Sequence, residues 1–370
     1  MYCKKIKVRG FRNIEEAEVE FSFGINILIG ENAQGKTNLL EAIFYPSVGR
    51  SFRGANTPEM IGFGKHSAEI SIDFRDQVRD QNINVVLYRD KQRKIEKNRI
   101  KVDKLSDIVG SFRAVLFCPE HLSMIKDGPS GRRSYMDMAI SRVYPLYMHS
   151  LQRYAYLLKQ RNALLKSAYN DRSAFDATIE LWSAEMAKEA ATISQMRLDF
   201  VKRVESRVGE IFSEMTGEKE RPTLKYSGSA GLSENEYSDR EITEKKYFSC
   251  LMNNHEREIA MGATLYGIHR DDIDIYLNGK SARSFASQGQ QRSLALALKL
   301  SEGEICREEF GDEPVFLFDD VLSELDETRR DYLIHKIIGK QVIMTSCEVA
   351  LLSEMEGART IRVKNGEYLS

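Results

Sequence analysis

Long apolar runs are missing from this chain. The longest, such as Ala114–Cys118, are about five residues, against the ~20 that a membrane-spanning helix needs, so no membrane span is expected. Cysteine is sparse and scattered. Cys3, Cys118, Cys250, Cys306 and Cys347 form no C-x-x-C pair, and the 6 histidines do not cluster. That argues against a disulfide framework or a zinc site and fits a reducing cytoplasm. Net charge is almost absent: 54 Lys+Arg against 55 Asp+Glu leave −1. Any reading that involves nucleic acid must therefore rest on local charge. The basic N-terminus Met1–Lys7 has no apolar stretch behind it and is not expected to act as a signal peptide. Internal repeats and low-complexity tracts are lacking too. What is present is ordinary for a soluble globular protein: 42% hydrophobic and 29% charged residues. At roughly 150 residues per domain, the chain is long enough for two or three domains.

The pattern along the chain divides it in two. Ile6, Val8 and Phe11, then Val19 and Phe21, read as strands. Ile25–Ile29 is a buried-strand run ending at Gly30, and Leu39, Leu40, Ile43 and Phe44 recur at helical spacing. Residues 66–118 alternate as β structure, with a basic hairpin over Lys94–Val102 turning near Lys97-Asn98. After the turn cluster Asp127–Gly131 the pattern is helical to about Glu214, interrupted at Pro145 and at 167–173. Residues 216–260, polar and acidic, read as a surface connection with at most one weak strand or helix. Strand character returns at Ala263–Tyr266 and Ile273–Leu277, with a turn at Asn278-Gly279. A helix over Gln290–Ile305, a buried strand over Val315–Phe318 and an α/β finish through Val342–Met344 complete the chain. The division expected is an α/β lobe of residues 1–125 and 262–370, with a mostly helical lobe and acidic connection, 126–261, inserted.

One motif carries phosphate chemistry. Gly30-Glu31-Asn32-Ala33-Gln34-Gly35-Lys36-Thr37 matches G-x-x-x-x-G-K-[ST] between a strand and a helix, the context this pattern requires. Glycines let successive N–H groups curl around a phosphate, and the helix that follows, through Asn38, adds its positive end. Lys36 is expected on the β- and γ-phosphates of ATP and Thr37 on Mg²⁺. The partner carboxylate is Asp319, at the carboxyl end of Val315–Phe318, where it would hold Mg²⁺. Asp320 would act on the attacking water as base or positioner. Its side chain is one methylene shorter than the glutamate common at this place, so slow hydrolysis is expected, below the ~10 s⁻¹ typical of enzymes. Ser287-x-Gly289-Gln290 opens the Ala/Leu helix and forms a second anion-binding constellation. One chain needs no second phosphate-binding helix start, so this one is read as reaching ATP held by another subunit. A plain helix cap is the alternative.

This ordered set resembles the ABC-type ATPases, in particular their SMC-like branch. Ser323-Glu324-Leu325-Asp326 stands where that class has its D-loop. Within the branch the chain resembles the bacterial RecF family, through Gly30–Ile43, Val115–Leu122, Gly267–Asp272, Phe285–Leu296 and Phe318–Asp326. It departs at Ile268, where the family usually has proline, and at Ala33, where glycine is common. Thr345-Ser346-Cys347 replaces the switch histidine of transporter relatives, and only Glu120 offers itself near the Q-loop. The resemblance implies an α/β fold: an ABC/SMC-type P-loop ATPase head built from both chain ends, with a helical insertion and no long coiled coil. It implies a homodimer formed on ATP binding that clamps double-stranded and gapped DNA. It also implies RecO and RecR as partners, RecA loading on single strands coated by single-strand binding protein (SSB), coupling to the SOS response, and weak DNA-stimulated ATPase activity.

Local charge marks candidate DNA contacts. Lys126–Arg172 holds nine basic residues against Asp127, Asp137 and Asp171, with six interleaved tyrosines. Arg132, Arg133, Arg153, Lys159 and Arg161 are the candidates, a solvated helix face being the alternative. The hairpin 89–104 and the pair Arg50 and Arg53 are further candidates. His269–Asp272 reads either as functional or as a charged turn, with no catalytic role assigned. The single Trp182 is expected in the core.

Other classes fit less well. A transporter subunit would be shorter and read Leu-Ser-Gly-Gly-Gln. A chromosome-organising SMC protein needs far longer arms. An anti-phage or overcoming-lysogenisation type ATPase would carry a nuclease domain after Asp326. A non-enzymatic scaffold would bind through Lys36 without hydrolysis.

Overall fold

The computed structural model describes residues 1–217, 220–347, 355 and 357–369. The chain folds as two units. The first takes in Met1–Ser123, Ile211–Gly217 and Gln288–Ser370, the second Met124–Glu210 and Glu218–Ser287. The N-terminal division falls at 123/124, and Ile211–Gly217 belongs to the first unit. The C-terminal one falls at 287/288 rather than 262, because the strand Asp272–Leu277 pairs antiparallel with Pro222–Ser227 inside the second unit.

The first unit contains two six-stranded sheets. One is antiparallel, in the order Ile14–Glu20, Tyr2–Phe11, Ser67–Arg75, Asp80–Tyr88, Lys94–Lys97, Ile100–Val102. Ser67–Arg75 shows why: Ala68, Ile70, Ile72 and Phe74 are buried while the residues between them are not, the pattern of a sheet with one face on a core. The hairpin turns where expected, with Asn98 and Arg99 at positive φ.

The other sheet runs Glu367–Leu369, Arg359–Lys364, Ile25–Ile29, Val342–Ser346, Val315–Asp319, Ala114–Phe117. All its neighbours are parallel except the terminal hairpin. Every residue of Val315–Asp319, Val342–Ser346 and Ala114–Phe117 is buried, as continuous apolar strands in a parallel sheet must be. Their parallel register brings the carboxyl ends of Ile25–Ile29, Val342–Ser346 and Val315–Asp319 to one edge, where ligand sites form.

In the second unit, helices span Pro129–Val143 and Pro145–Ser167, and Arg172–Thr216 begins there. Prolines open the first two, since a first-turn residue lacks an intrahelical N–H partner anyway. Leu165, Ala168, Phe175, Ile179 and Ile259 form an apolar cluster. The described residues of the segment read as a surface connection hold more structure than the one weak element expected. The segment holds the strand Pro222–Ser227 and helices Glu234–Ser238, Arg240–Asn253 and His255–Met261, the first with a Ser233/Glu236 capping box and the second capped by Asp239. Tyr226, Tyr237 and Tyr247 are its buried anchors. Ala263–Tyr266 is not a strand. Trp182 is half-exposed against Tyr156, not in the core. Among the described residues no helix is long and apolar enough to cross a membrane.

Candidate nucleotide site

The glycine loop lies at the carboxyl edge of the parallel sheet. It leaves the strand Ile25–Ile29 at Gly30, where a Cβ would sit 2.3 Å from the Val363 carbonyl oxygen. It closes at Gly35, whose φ of 109° suits glycine, and the helix Lys36–Val48 starts there with no side-chain cap. Its first N–H groups have no intrahelical partner, so the helix presents free donors and its positive end to the loop. Ala33 takes a φ of 64°. That conformation costs a residue with a Cβ about 1–2 kcal/mol, which explains why glycine is favoured at this point.

Side chains from distant segments hold the loop. Gln34 accepts from the Asn365 N–H at 2.5 Å, and Tyr368 donates its hydroxyl to the Gly35 carbonyl at 3.0 Å. Asn38 donates to Asn13 at 2.7 Å and accepts from Arg53 at 3.1 Å. Asn32 accepts from the Cys347 thiol at 2.9 Å. Arg12 donates twice to the fully buried Glu41, at 2.9 and 2.8 Å, tying the first hairpin to the helix after the loop.

Lys36 is mostly buried and donates to the Gly30 and Glu31 carbonyls at 2.5 and 2.8 Å, with Cys347 sulfur at 3.2 Å. Thr37 donates its hydroxyl to Asp319 at 2.8 Å, and Thr345 donates to the same carboxylate oxygen at 2.9 Å. Burial pushes the Asp319 carboxyl above its usual range, against the pull of these two hydroxyls, with Glu120 and Asp320 raising it further. Asp320 has a φ of 51° and donates its N–H to Thr345 at 2.9 Å. A left-handed non-glycine residue costs free energy and is found disproportionately at functional sites.

These groups line a cleft of about 520 Å³, with Asn13, Phe52, Arg53, Pro119, Glu120 and Cys347 around it. That volume is in the range of small-molecule sites. Its contents fit a nucleotide triphosphate with a divalent cation: a curled backbone, a lysine ammonium, and a hydroxyl beside a buried carboxylate. Thr37 and Asp319 could hold the cation, and Lys36 with the loop N–H groups could hold phosphates.

The structure thus brings the loop residues Gly30–Asn38, Asp319 and Asp320 together. Gly289 and Gln290 are not among the described residues lining that cleft. Ser287, exposed, directly precedes the helix Gln288–Phe310, and Gly289 faces the Arg329 guanidinium, 3.1 Å from where a Cβ would stand. Arg329 also donates to Ser293 at 2.7 Å and pairs with Asp326, so the start of this helix is braced against the D-loop-like segment. Arg53, weighed from sequence as a DNA contact, is exposed and lines the nucleotide cleft. Thr345, Cys347 and Asn13 had no assigned role; the rule that parallel-strand carboxyl ends carry ligands points to the first two.

The basic run is largely internal. Arg132 is buried and donates to Asp272 at 2.7 and 2.8 Å and to the Met124 and Asp127 carbonyls, each at 2.8 Å. Arg161 is fully buried, ion-paired with buried Glu258 at 2.6 Å and bonded to Ser183, Thr264 and the Leu251 carbonyl. These two candidates are corrected: burial closes them to a phosphate. Arg133 is half-buried and donates to the Asp271 carbonyl at 2.9 Å. Arg153 is exposed but paired with Glu185 and Glu189, and Lys159 is exposed. The His269–Asp272 turn is an internal polar node. Fully buried Asp271 accepts from Tyr226, from the Ser229 N–H at 2.8 Å and from Arg197 at 3.3 Å, while Arg197 also pairs with Asp137 at 2.8 Å.

Known proteins are similar to this chain in sequence and fold. Residues 2–368 match the family described as the RecF/RecN/SMC N terminal domain. The DNA replication and repair protein RecF of Thermoanaerobacter sp. (strain X514) is 37% identical over 366 residues, covering 99% of each chain. A solved structure of the recombination mediator RecF with ATPrS, from the RecFOR pathway, superposes with a TM-score of 0.92 at 34% identity, covering 100% of this chain and 97% of that one. The Smc head domain of Pyrococcus furiosus shares the fold alone, with a TM-score of 0.55 at 16% identity over 100% of this chain and 95% of that one. The fold, with both chain ends forming one lobe, is therefore that of an ABC/SMC-type head, and the chain belongs to the RecF family.

Proposed function

We propose that this chain is an ATP-dependent DNA-binding protein of recombinational repair, with ATP hydrolysis as a slow switch. The observation that carries the nucleotide part is the contact of the Thr37 hydroxyl with buried Asp319, 2.8 Å apart, in the cleft that also holds Lys36. Lys36 and the N–H groups of Gly30–Asn38 bind the phosphates of ATP. Thr37 and Asp319 hold Mg²⁺, which supplies charge neutralisation at the phosphates. Asp320 orients or deprotonates the attacking water, and its short side chain keeps turnover low.

Ser287, Gly289 and Gln290 complete the site of a second copy, so ATP drives homodimer formation. The likeness to the DNA replication and repair protein RecF and to RecF of the RecFOR pathway supports DNA as the ligand and RecO and RecR as partners, and the DNA proposed is duplex and gapped. In this reading the dimer clamps DNA at gap junctions and promotes RecA loading on SSB-coated strands and SOS induction. Hydrolysis then resets the dimer.

Sedimentation velocity with ATP and a gapped duplex tests the mechanism. Wild type is expected to dimerise only with ATP, and Lys36→Met and Ser287→Arg to stay monomeric. A Ser287→Arg protein that dimerises as wild type does would reduce this helix start to a simple cap and remove the composite site.

A further inference from the structure

Phe63 has the largest relative exposure of the large hydrophobic residues described, at 104%. It is not on a loose segment. The Lys65 N–H donates to the Gly62 carbonyl at 3.0 Å, closing a tight turn, and the Gly62 N–H donates to the Gly10 carbonyl at 2.8 Å. Arg89 donates to the carbonyls of Ile61, Gly62 and Lys65 at 3.2, 3.1 and 2.7 Å. A guanidinium that places its donors on three carbonyls of one turn fixes the turn's shape. Burying a phenyl ring is among the larger apolar gains open to a chain, and this turn is built to forgo it.

The surroundings say what the ring meets. Ser67 pairs with Tyr88, and the Arg89 N–H donates to the His66 carbonyl at 3.3 Å, so 62–66 and 88–94 share one end of the antiparallel sheet. Those segments carry Lys65, Arg89, Lys91, Arg93 and Lys94, five cations against Asp90 and the facing Glu15 and Glu96, an excess of two in a chain of net charge −1, and Arg93 donates to the Tyr45 hydroxyl and the Gly49 carbonyl at 2.6 and 3.1 Å. Lys65 faces Glu15 at 3.0 Å and Lys94 faces Glu96 at 2.7 Å, while the Lys91 ammonium lies 4.0 Å from the centroid of the Tyr88 ring. Met60 and Ile61, the apolar neighbours before the turn, are buried. A lone outward ring in a cationic rim does not suit an apolar protein surface, which needs contiguous apolar area. It suits a nucleobase, which offers a π-face between phosphates. The turn also adjoins the nucleotide site: the Arg12 N–H donates to the Met60 carbonyl at 2.9 Å, and the next residue, Asn13, lines the nucleotide cleft.

We propose that Phe63 is a base-stacking contact for unpaired DNA, taking the face of an unstacked base at the edge of a duplex while the cationic rim meets the flanking phosphates. This rests on the DNA-binding reading above, and one experiment separates the two. The full chain with ATP is titrated into a blunt duplex and into the same duplex with a single-stranded tail carrying 2-aminopurine at the first unpaired position. Wild type and Phe63→Trp are expected to quench the 2-aminopurine and to prefer the tailed DNA. Phe63→Ala is expected to keep blunt-duplex affinity, lose the quenching and bind tailed DNA about tenfold more weakly, as loss of one stacked base does. A Phe63→Ala protein that quenches and discriminates like wild type overturns the proposal. So does DNA-free self-association of wild type that Phe63→Ala abolishes, which would assign the ring to a second copy. If wild type binds neither DNA, the DNA-binding reading fails and this contact fails with it.

Discussion

His269 is held neutral by its surroundings. Burial depresses its pKa from 6.5 to about 4, with Arg270, Arg133 and Arg161 adding to the effect and the Thr264 carbonyl partly opposing it. Its ring nitrogens meet the Tyr154 hydroxyl at 2.7 Å and that carbonyl at 3.1 Å. The unfolded chain binds a proton here below 6.5, whereas the folded one does not until about 4. Stability is therefore full above 6.5 and falls as pH drops toward about 4, by at most about 3 kcal/mol. Thermal unfolding across that window should show the loss in wild type and a flatter profile in His269→Gln. An unchanged profile in the variant would place the acid sensitivity elsewhere.

At the level of elements, the helix Gln288–Phe310 lies against the strand Val315–Asp319 through Gly303, where a Cβ would stand 2.6 Å from the Phe316 ring. That ring is itself stacked on Phe318, 6.3 Å between centroids, so it cannot retreat freely. Gly303→Ala is expected to destabilise by about 1–3 kcal/mol through overpacking, despite alanine's better helix propensity, as read by chemical denaturation. This helix and strand were legible in the sequence because their apolar residues are neighbours along the chain. So were the glycine loop and Asp319, whose motif positions are each fixed by phosphate chemistry. The segment 216–260 was not legible. Its anchors are tyrosines rather than aliphatic residues, and two of them, Tyr226 and Tyr247, point hydroxyls at Asp271, which lies 45 and 24 residues further along. No local pattern announces a pairing of that kind. Arg132 and Arg161 misled for the same reason: charge is visible in a sequence, but the carboxylates that bury it, Asp272 and Glu258, are about 100 or more residues away.

At the scale of the whole molecule, that burial changes the field that the chain would offer to DNA in the proposed role. Lys126–Arg172 counts nine basic residues against three acids, but Arg132, Arg142 and Arg161 are buried, Arg133 is half-buried and Asp137 pairs inside with buried Arg197, which leaves five against two exposed. Half the apparent excess is internal, so a chain of net −1 has a modest field for phosphates, and removing any one outward-facing cation should have a measurable effect. The log–log dependence of DNA affinity on salt has a slope of about −0.9 per phosphate neutralised. Lys159→Ala is expected to make that slope shallower by about one such unit and to leave the melting temperature in place. Arg161→Ala should do the reverse. Truncating one partner of a buried ion pair costs about 3–5 kcal/mol, so the melting temperature falls while the salt slope holds. Measuring both quantities on both variants separates a phosphate contact from a core arginine. A shallower slope in Arg161→Ala at full stability would return that residue to the DNA surface.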